Sequence, residues 1–177
     1  MAKNKVNVYD IVLKVAAIFT AVMSFIALAF KFASETVTAT AAGKTVEMGH
    51  KAFSLSDWFD SFATLERVDG IGCWKVAKVF MIIALVLIAI VAIVAVVKFF
   101  FSNKIVDIAL AVVSGLAILA IVVMAIALIA GMNKIGSALS VGVDVSFAPH
   151  AGSICLILFG LLNGVAGLLL ACEKKFK

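Results

Sequence analysis

The sequence predicts a membrane protein of the all-α class, in which four transmembrane helices form a bundle. A small extracellular β-sheet is expected on it, made of a hairpin from the first outer loop and one strand from the second. Composition is the first observation behind this prediction: of the 177 residues, 65% are hydrophobic and 14% are charged, whereas soluble domains carry about 25% charged residues. The other two observations are long charge-free runs and two loop segments with the alternation typical of strands. We expect a single membrane domain over residues 1–177.

Each charge-free run is long enough to cross the hydrocarbon of a bilayer as a helix, which takes about 20 residues. The predicted helices span about 10–31, 76–99, 105–131 and 151–172. The first run has an alternative interpretation as a signal peptide, but the small residues Ala39 and Ala41 lie too far beyond it for a good cleavage site. We therefore expect an uncleaved helix, with the amines of Lys14 and Lys31 reaching towards the headgroups.

The basic residues predict the orientation. The face that holds both termini and the short second connection carries eight basic and three acidic residues, and the opposite face carries seven of each. Basic residues concentrated in short segments favour the cytoplasmic side. Both termini are therefore predicted to be cytoplasmic, in the plasma (cytoplasmic) membrane, with outer loops at about 32–75 and 132–150.

The first outer loop has the signature of a β-hairpin. The segments 36–40 and 44–48 are rich in β-branched residues and flank a turn at Ala42-Gly43. Residues 56–67 predict a short amphipathic helix after the hairpin, with Ser56 as its cap. In the second loop, residues 141–147 alternate strictly and predict a third strand. The residues expected to mediate association through this outer sheet are Val37, Val46, Val141, Val143, Val145 and Phe147.

Cysteine and histidine give no predicted metal site. Cys73 and Cys155 both fall near the outer boundary and form a possible disulfide, with the alternative that each is a small apolar filler. Cys172 is either a filler or a lipid-attachment site. His50 and His150 are the only histidines; a metal ion shared with a loop carboxylate is one reading, and solvated loop residues are the other.

The predicted helices hold almost no ionisable groups away from their ends. Ion-coupled transport and proton relays need such groups near the midplane, so their absence argues against these functions. Asn163 is the one strongly polar residue deep in a helix, and small residues around it and in the third helix predict close helix packing, within the bundle or between copies. The residues expected at these seams are Ala111, Gly115, Ala127, Gly131, Gly160, Asn163, Gly164 and Gly167.

No catalytic motif, phosphate-binding glycine loop or clustered basic patch with interleaved aromatics occurs in the sequence. We therefore predict no enzymatic activity, no cofactor and no nucleic-acid partner.

The predicted layout has four helices with both termini inside, a long first outer loop with a hairpin and a helix, and a shorter second loop with one strand. This layout resembles that of claudin-type tetraspan proteins. That family's first loop carries a Gly-Leu-Trp run and two cysteines. Here the loop has Trp58 and then Cys73-Trp74, so no residue role is carried over. What the resemblance implies is that an outer sheet on such a bundle exposes edges through which copies can join side by side.

These observations lead to a functional hypothesis. The protein is expected to be a non-enzymatic membrane protein that associates laterally with its own copies or serves as a subunit of a larger membrane assembly, with the lipid bilayer as its solvent. One alternative is a pore or transport component in which Asn163 faces the pathway. Another is an accessory or immunity-type subunit that shields a second membrane protein.

Overall fold

The computed structural model describes residues 8–41, 44–57, 60, 71–101, 103–140 and 142–172. The prediction of four long apolar helices and a small three-stranded antiparallel sheet is confirmed. The helices are α1 (Val8–Ile26), α2 (Ile71–Phe100), α3 (Lys104–Leu139) and α4 (Ala151–Cys172), and a short 3-10 turn (Ala27–Ala29) follows α1. The strands are β1 (Ala33–Ala41), β2 (Lys44–Phe53) and β3 (Asp144–Pro149).

All four helices are long and apolar enough to cross a membrane. Two of them exceed the predicted length: α2 starts before residue 76, and α3 continues to Leu139. Helix α3 begins at Asn103, whose side chain accepts a hydrogen bond from the amide of Val106 at 2.9 Å. It ends at Ser140, whose amide donates to the carbonyl of Gly136 at 3.1 Å.

The helices form a closed ring in which α1 packs against α4 and α2, and α3 packs against α2 and α4. We call the end with the α2–α3 connection and the last turn of α4 the terminal end, and the opposite end the sheet end. Asp107 and Leu170 lie level at the terminal end, because both contact Lys98. At 1.5 Å per residue, α3 then extends about 48 Å from Asp107, whereas α4 extends only about 28 Å from Leu170. The extra length of α3 therefore projects at the sheet end.

The sheet is attached to this projecting part of α3. The strand order is β2-β1-β3, with all pairs antiparallel. The backbone of β3 passes so close to Gly136 that a Cβ on this glycine would lie 2.9 Å from the carbonyl oxygen of Val145. The side chain of Phe147 is buried on the same side. Strand β3 therefore runs back along the last turns of α3 before it enters α4.

Trp74 belongs to the buried core at the sheet end. Only 4% of its surface is exposed. Its backbone nitrogen lies 3.4 Å from the position that a Cβ on Gly131 would take. The glycine lets α2 and α3 approach closely here, and the indole fills the space between them and Phe32.

Candidate functional site

The outer part of the β-hairpin stands free of the bundle. Strand β3 pairs with β1 only from Ala33 to Thr38, so the hairpin beyond Thr38 has two strands. On β2, every residue from Lys44 to Lys51 is exposed, whichever face of the strand it occupies. We call the two-stranded part, residues 39–41 with residues 44–48, the distal hairpin. An isolated two-stranded hairpin is only marginally stable in water, so this segment gains most from a partner.

Strand β2 is an edge strand, but its edge is poorly suited to open-ended strand addition. The register between β1 and β2 shifts between Val37 and Thr38, which leaves Met48 as an extra residue on β2. Such a bulge, together with charged side chains such as Lys44 and Lys51, is a common protection of sheet edges. The exposed surface available for contact is therefore the two faces of the distal hairpin, where Val46 is 59% and Met48 is 66% exposed.

Most residues predicted for association through the sheet face the chain's own bundle or sheet. Val37 pairs with Val145 across β1 and β3, Phe147 is buried, and Val143 is half-buried in the bend before β3. Of the predicted association residues that the structure describes, only Val46 is strongly exposed. Val141 and the predicted turn at Ala42-Gly43 lie outside the described residues.

The helix after the hairpin begins earlier than predicted. Ser54 is the cap, not Ser56: its hydroxyl contacts the Asp57 carboxylate at 2.5 Å, and the Asp57 amide donates back to this hydroxyl at 3.2 Å. The hydrogen bonds from the Ser54 hydroxyl and amide lower the pKa of Asp57, and the charges of Lys31 and Lys51 lower it further. A lowered carboxyl pKa means that this contribution to stability is complete above the usual pKa and is lost as the pH falls through the lowered value. Most of the predicted helix 56–67 lies outside the described residues.

Asn163 joins α4 to α1 in the middle of the bundle. Its side chain is fully buried, and its amide nitrogen donates to the carbonyl of Ala17 at 2.6 Å and lies 3.5 Å from the Thr20 hydroxyl. That hydroxyl donates to the carbonyl of Ala16 at 2.7 Å. Among the described residues, the side-chain oxygen of Asn163 has no hydrogen-bond partner.

The glycines near Asn163 pack on the other side of α4. A Cβ on Gly160 would lie 2.8 Å from Ile121, and one on Gly164 would lie 2.5 Å from Ile118. A Cβ on Gly167 would collide with the hydroxyl of Ser114. This ridge therefore faces α3 of the same chain.

The small residues of α3 divide between two environments. Ala127 is 9% exposed, and Gly131 packs against Trp74. Ala111 is half-buried, whereas Gly115 is exposed and no atom lies within 4 Å of the Cβ that it lacks. Only the Ala111 and Gly115 positions are open to a neighbour outside the bundle.

Two ion pairs with buried lysines lie at the terminal end. Lys14 contacts Asp10 at 2.6 Å, and its ammonium lies 4.7 Å from the centre of the Phe99 ring on α2. Lys98 contacts Asp107 on α3 at 2.8 Å and donates to the carbonyl of Leu170 in the last turn of α4. The negative C-terminal end of the α4 dipole also stabilises a cation at this position. The group has two positive and two negative charges and therefore no net charge.

This cluster corrects the interpretation of Lys14. The sequence predicted that its amine reaches towards the headgroups, but Lys14 is only 6% exposed, and Lys98 in the same cluster is 3% exposed. The spacing of four residues between Asp10 and Lys14 was a usable signal for their pair. The pair of Lys98 and Asp107 depends on the short α2–α3 connection, which sequence spacing alone does not reveal.

The cysteines and histidines do not form a shared site in the described part of the chain. All three cysteines are free thiols, so the possible bond between Cys73 and Cys155 is not formed in this structure. His50 lies opposite Thr36 on the exposed hairpin, whereas His150 directly precedes α4 and donates its amide to the carbonyl of Phe32. The described residues contain no group of three or more His, Cys, Asp or Glu that would hold a metal ion.

These features define a class of protein: a four-helix bundle of membrane-spanning length with a neutral ion-pair cluster at one end and a projecting hairpin at the other. No protein-family model matches the chain, and no curated protein matches it significantly in sequence.

Proposed function

We propose that this protein is a non-enzymatic integral membrane protein of the cytoplasmic membrane that works by association, with copies of itself or as a subunit of a larger membrane assembly. Both termini then lie in the cytoplasm, and the sheet end projects outside. The face that holds the two termini and the α2–α3 connection carries eight of the fifteen basic residues, which supports this orientation. The contact surface in this proposal is the distal hairpin.

The observation that carries the proposal is the exposure of the distal hairpin on both faces. In this two-stranded segment Val46 is 59% and Met48 66% exposed, and in the described part of the chain neither a third strand nor a helix covers it. Burying a Val or Met side chain completely contributes about 1.5–3 kcal/mol. Burying half of the surface of each of these two side chains would lower the dissociation constant of a complex by about tenfold or more.

A photo-crosslinker tests this contact directly. We expect a crosslinking amino acid at Val46 to give a product of twice the monomer mass in native membranes, because copies meet at the distal hairpin. The same group at Ser146, exposed on the opposite edge strand, is the matched control and should give little product. A product of another mass would identify a partner subunit instead, including an accessory or immunity-type complex. If Val46 gave no product with any protein, the proposal would be wrong.

One observation favours a second function, a pore or transport component: Asn163 leaves a polar oxygen without a partner, among the described residues, deep in an apolar bundle. The contacts of Gly160 and Gly164 with α3 leave little room for a pathway inside one bundle, so the association function is better supported.

Asn163→Leu distinguishes the two functions. We expect reconstituted vesicles to show no ion flux above protein-free vesicles, and Asn163→Leu to keep the Val46 crosslink, because hydrogen bonds between transmembrane helices contribute only about 0.6 kcal/mol on average. Ion flux that is present in the wild type and absent in Asn163→Leu, but retained in a Thr20→Val control, would support the pore.

A further inference from the structure

The pairing of the strands gives the sheet two faces of different character. Directly opposed residues in antiparallel strands share a face, and neighbours along one strand alternate between faces. Phe53 on β2 and Phe147 on β3 lie on one face, because their partners on β1 are two residues apart, and both are buried. The same face continues along β1 through Val37 to Ala39, which pairs with Val46. The apolar face of the sheet therefore extends from the core into the exposed distal hairpin.

The two faces of the hairpin also differ in charge. Lys44 shares the face of Val46, two residues away on β2, and Glu47 lies on the opposite face. On that opposite face Thr38 lies between Glu47 on β2 and Asp144 on β3, which adds a second negative charge. We call these surfaces the Val46 face (Lys44 and Val46) and the Glu47 face (Thr38, Glu47 and Asp144). Within the described part of the chain, neither Lys44 nor Glu47 forms an ion pair.

We infer that copies of this protein associate by packing the Val46 face of one distal hairpin on the Glu47 face of the next. The inference rests on the proposed function and specifies the contact through which copies meet. Two Val46 faces would bring only positive charges into one contact, and two Glu47 faces would bring only negative charges. Like charges disfavour both of these symmetric arrangements, whereas the mixed arrangement places opposite charges together.

The contact is small. Only three residue pairs of the hairpin lie beyond Thr38, which corresponds to about 10 Å of strand. Contacts of this size are weak on their own, so the strength of association responds to single charges. In this arrangement the burial of Val46 supplies the apolar part of the contact, and the charges select which face it meets.

Energy transfer between labelled full-length copies in vesicles tests the inference. Lys44→Glu makes both faces negative, and Glu47→Lys makes the Glu47 face less negative and leaves the Val46 face positive. We expect each variant alone to associate about fivefold more weakly than the wild type, because an attractive surface pair becomes a pair of like charges. A mixture of the two variants should recover most of the loss, since each offers the charge that the other lacks. Lys134→Glu changes an exposed lysine outside the hairpin and is the matched control, which should associate like the wild type.

Salt provides a measurement on the unmodified protein. Screening weakens the attraction of opposite charges and also weakens the repulsion of like charges. We expect wild-type association to weaken between about 0.01 M and about 1 M sodium chloride, over which the Debye length falls from about 30 Å to about 3 Å. Association that stayed constant or became stronger with salt would overturn the mixed arrangement.

Mapping of the Val46 crosslink locates the partner surface. Mass spectrometry of the crosslinked product should find the attachment at Glu47 or its neighbours on the Glu47 face of the second copy. Attachment at Lys44 or Val46 of the second copy would show a symmetric contact and overturn the inference.

The outcomes separate the two proposals. Equal energy transfer in the wild type, Lys44→Glu and Glu47→Lys would overturn this inference and leave association itself intact. Weakening by Lys44→Glu alone, with Glu47→Lys like the wild type, would also overturn it, because Glu47 would then lie outside the contact. The salt series gives its result even if a variant fails to fold. Absence of energy transfer in the wild type, together with no crosslink at Val46, would overturn the association function and this inference with it.

Discussion

Replacing Lys98 with methionine is expected to lower the free energy of unfolding by about 3–5 kcal/mol, the cost typical of breaking a buried ion pair. Lys98 is 3% exposed and contacts both Asp107 and the carbonyl of Leu170. Methionine keeps most of the side-chain volume, so the effect reports the lost charge and hydrogen bond and not a cavity. Equilibrium unfolding in detergent micelles, followed by circular dichroism, measures this change.

Two further variants make the Lys98 result specific. Lys104→Met removes a lysine that is exposed near the same connection, and we expect its effect to stay within about 0.5 kcal/mol. The double variant Lys98→Met with Asp107→Leu should recover most of the loss, because apolar replacement of a whole buried pair is often neutral or stabilising. If Lys98→Met unfolded at the same denaturant concentration as Lys104→Met, the buried pair would not hold this end together.

The sequence was sufficient to predict the helices and the strands because both signals are local. Long charge-free runs identify helices of membrane-spanning length, and the alternation around Val145 and the β-branched residues around Val37 identify strands. The sequence predicted a third strand but not its partner; β3 pairs with β1, and these strands directly precede α4 and follow α1, two helices that pack against each other.

The length of α3 was underestimated for a physical reason. Beyond Met132 the helix is no longer apolar on all sides: Asn133 and Lys134 are exposed, whereas Ile135 and Gly136 are buried against β3. Hydropathy detects helix surrounded by lipid, but this extension is amphipathic and depends on the sheet for its burial. The amphipathic pattern is present in the sequence, but the strand that covers its apolar side is known only from the structure.

The candidate site was harder to predict than the fold because exposure depends on tertiary contacts. The same alternation that correctly predicted β3 gave no sign that Phe147 faces α3 and not a partner. Lys14 looked like a headgroup lysine because the ends of transmembrane helices usually are exposed. The distal hairpin remains available for contact because β3 pairs with β1 only as far as Thr38. The local sequence of the hairpin does not determine where this pairing ends.

Gly167→Ala is expected to lower the free energy of unfolding by about 1–3 kcal/mol, the range for overpacking a close-packed core. The new methyl group would overlap the Ser114 hydroxyl and lie 3.0 Å from Val91. Gly115→Ala on α3 is the matched control, because nothing lies within 4 Å of its missing Cβ. Unfolding in detergent micelles measures both changes, and Gly115→Ala should not be destabilised.

Adding Ser114→Ala to Gly167→Ala tests the same contact from its other side. Among the described residues, the Ser114 hydroxyl has no hydrogen-bond partner, so its removal alone should have little effect. In the double variant it makes space for the methyl group and should restore most of the stability, which gives a coupling between the two sites. Because this ridge packs within one chain, we expect Gly167→Ala to destabilise the monomer and leave the Val46 crosslink of the folded fraction unchanged. Loss of the crosslink at unchanged monomer stability would instead show that the ridge joins separate copies.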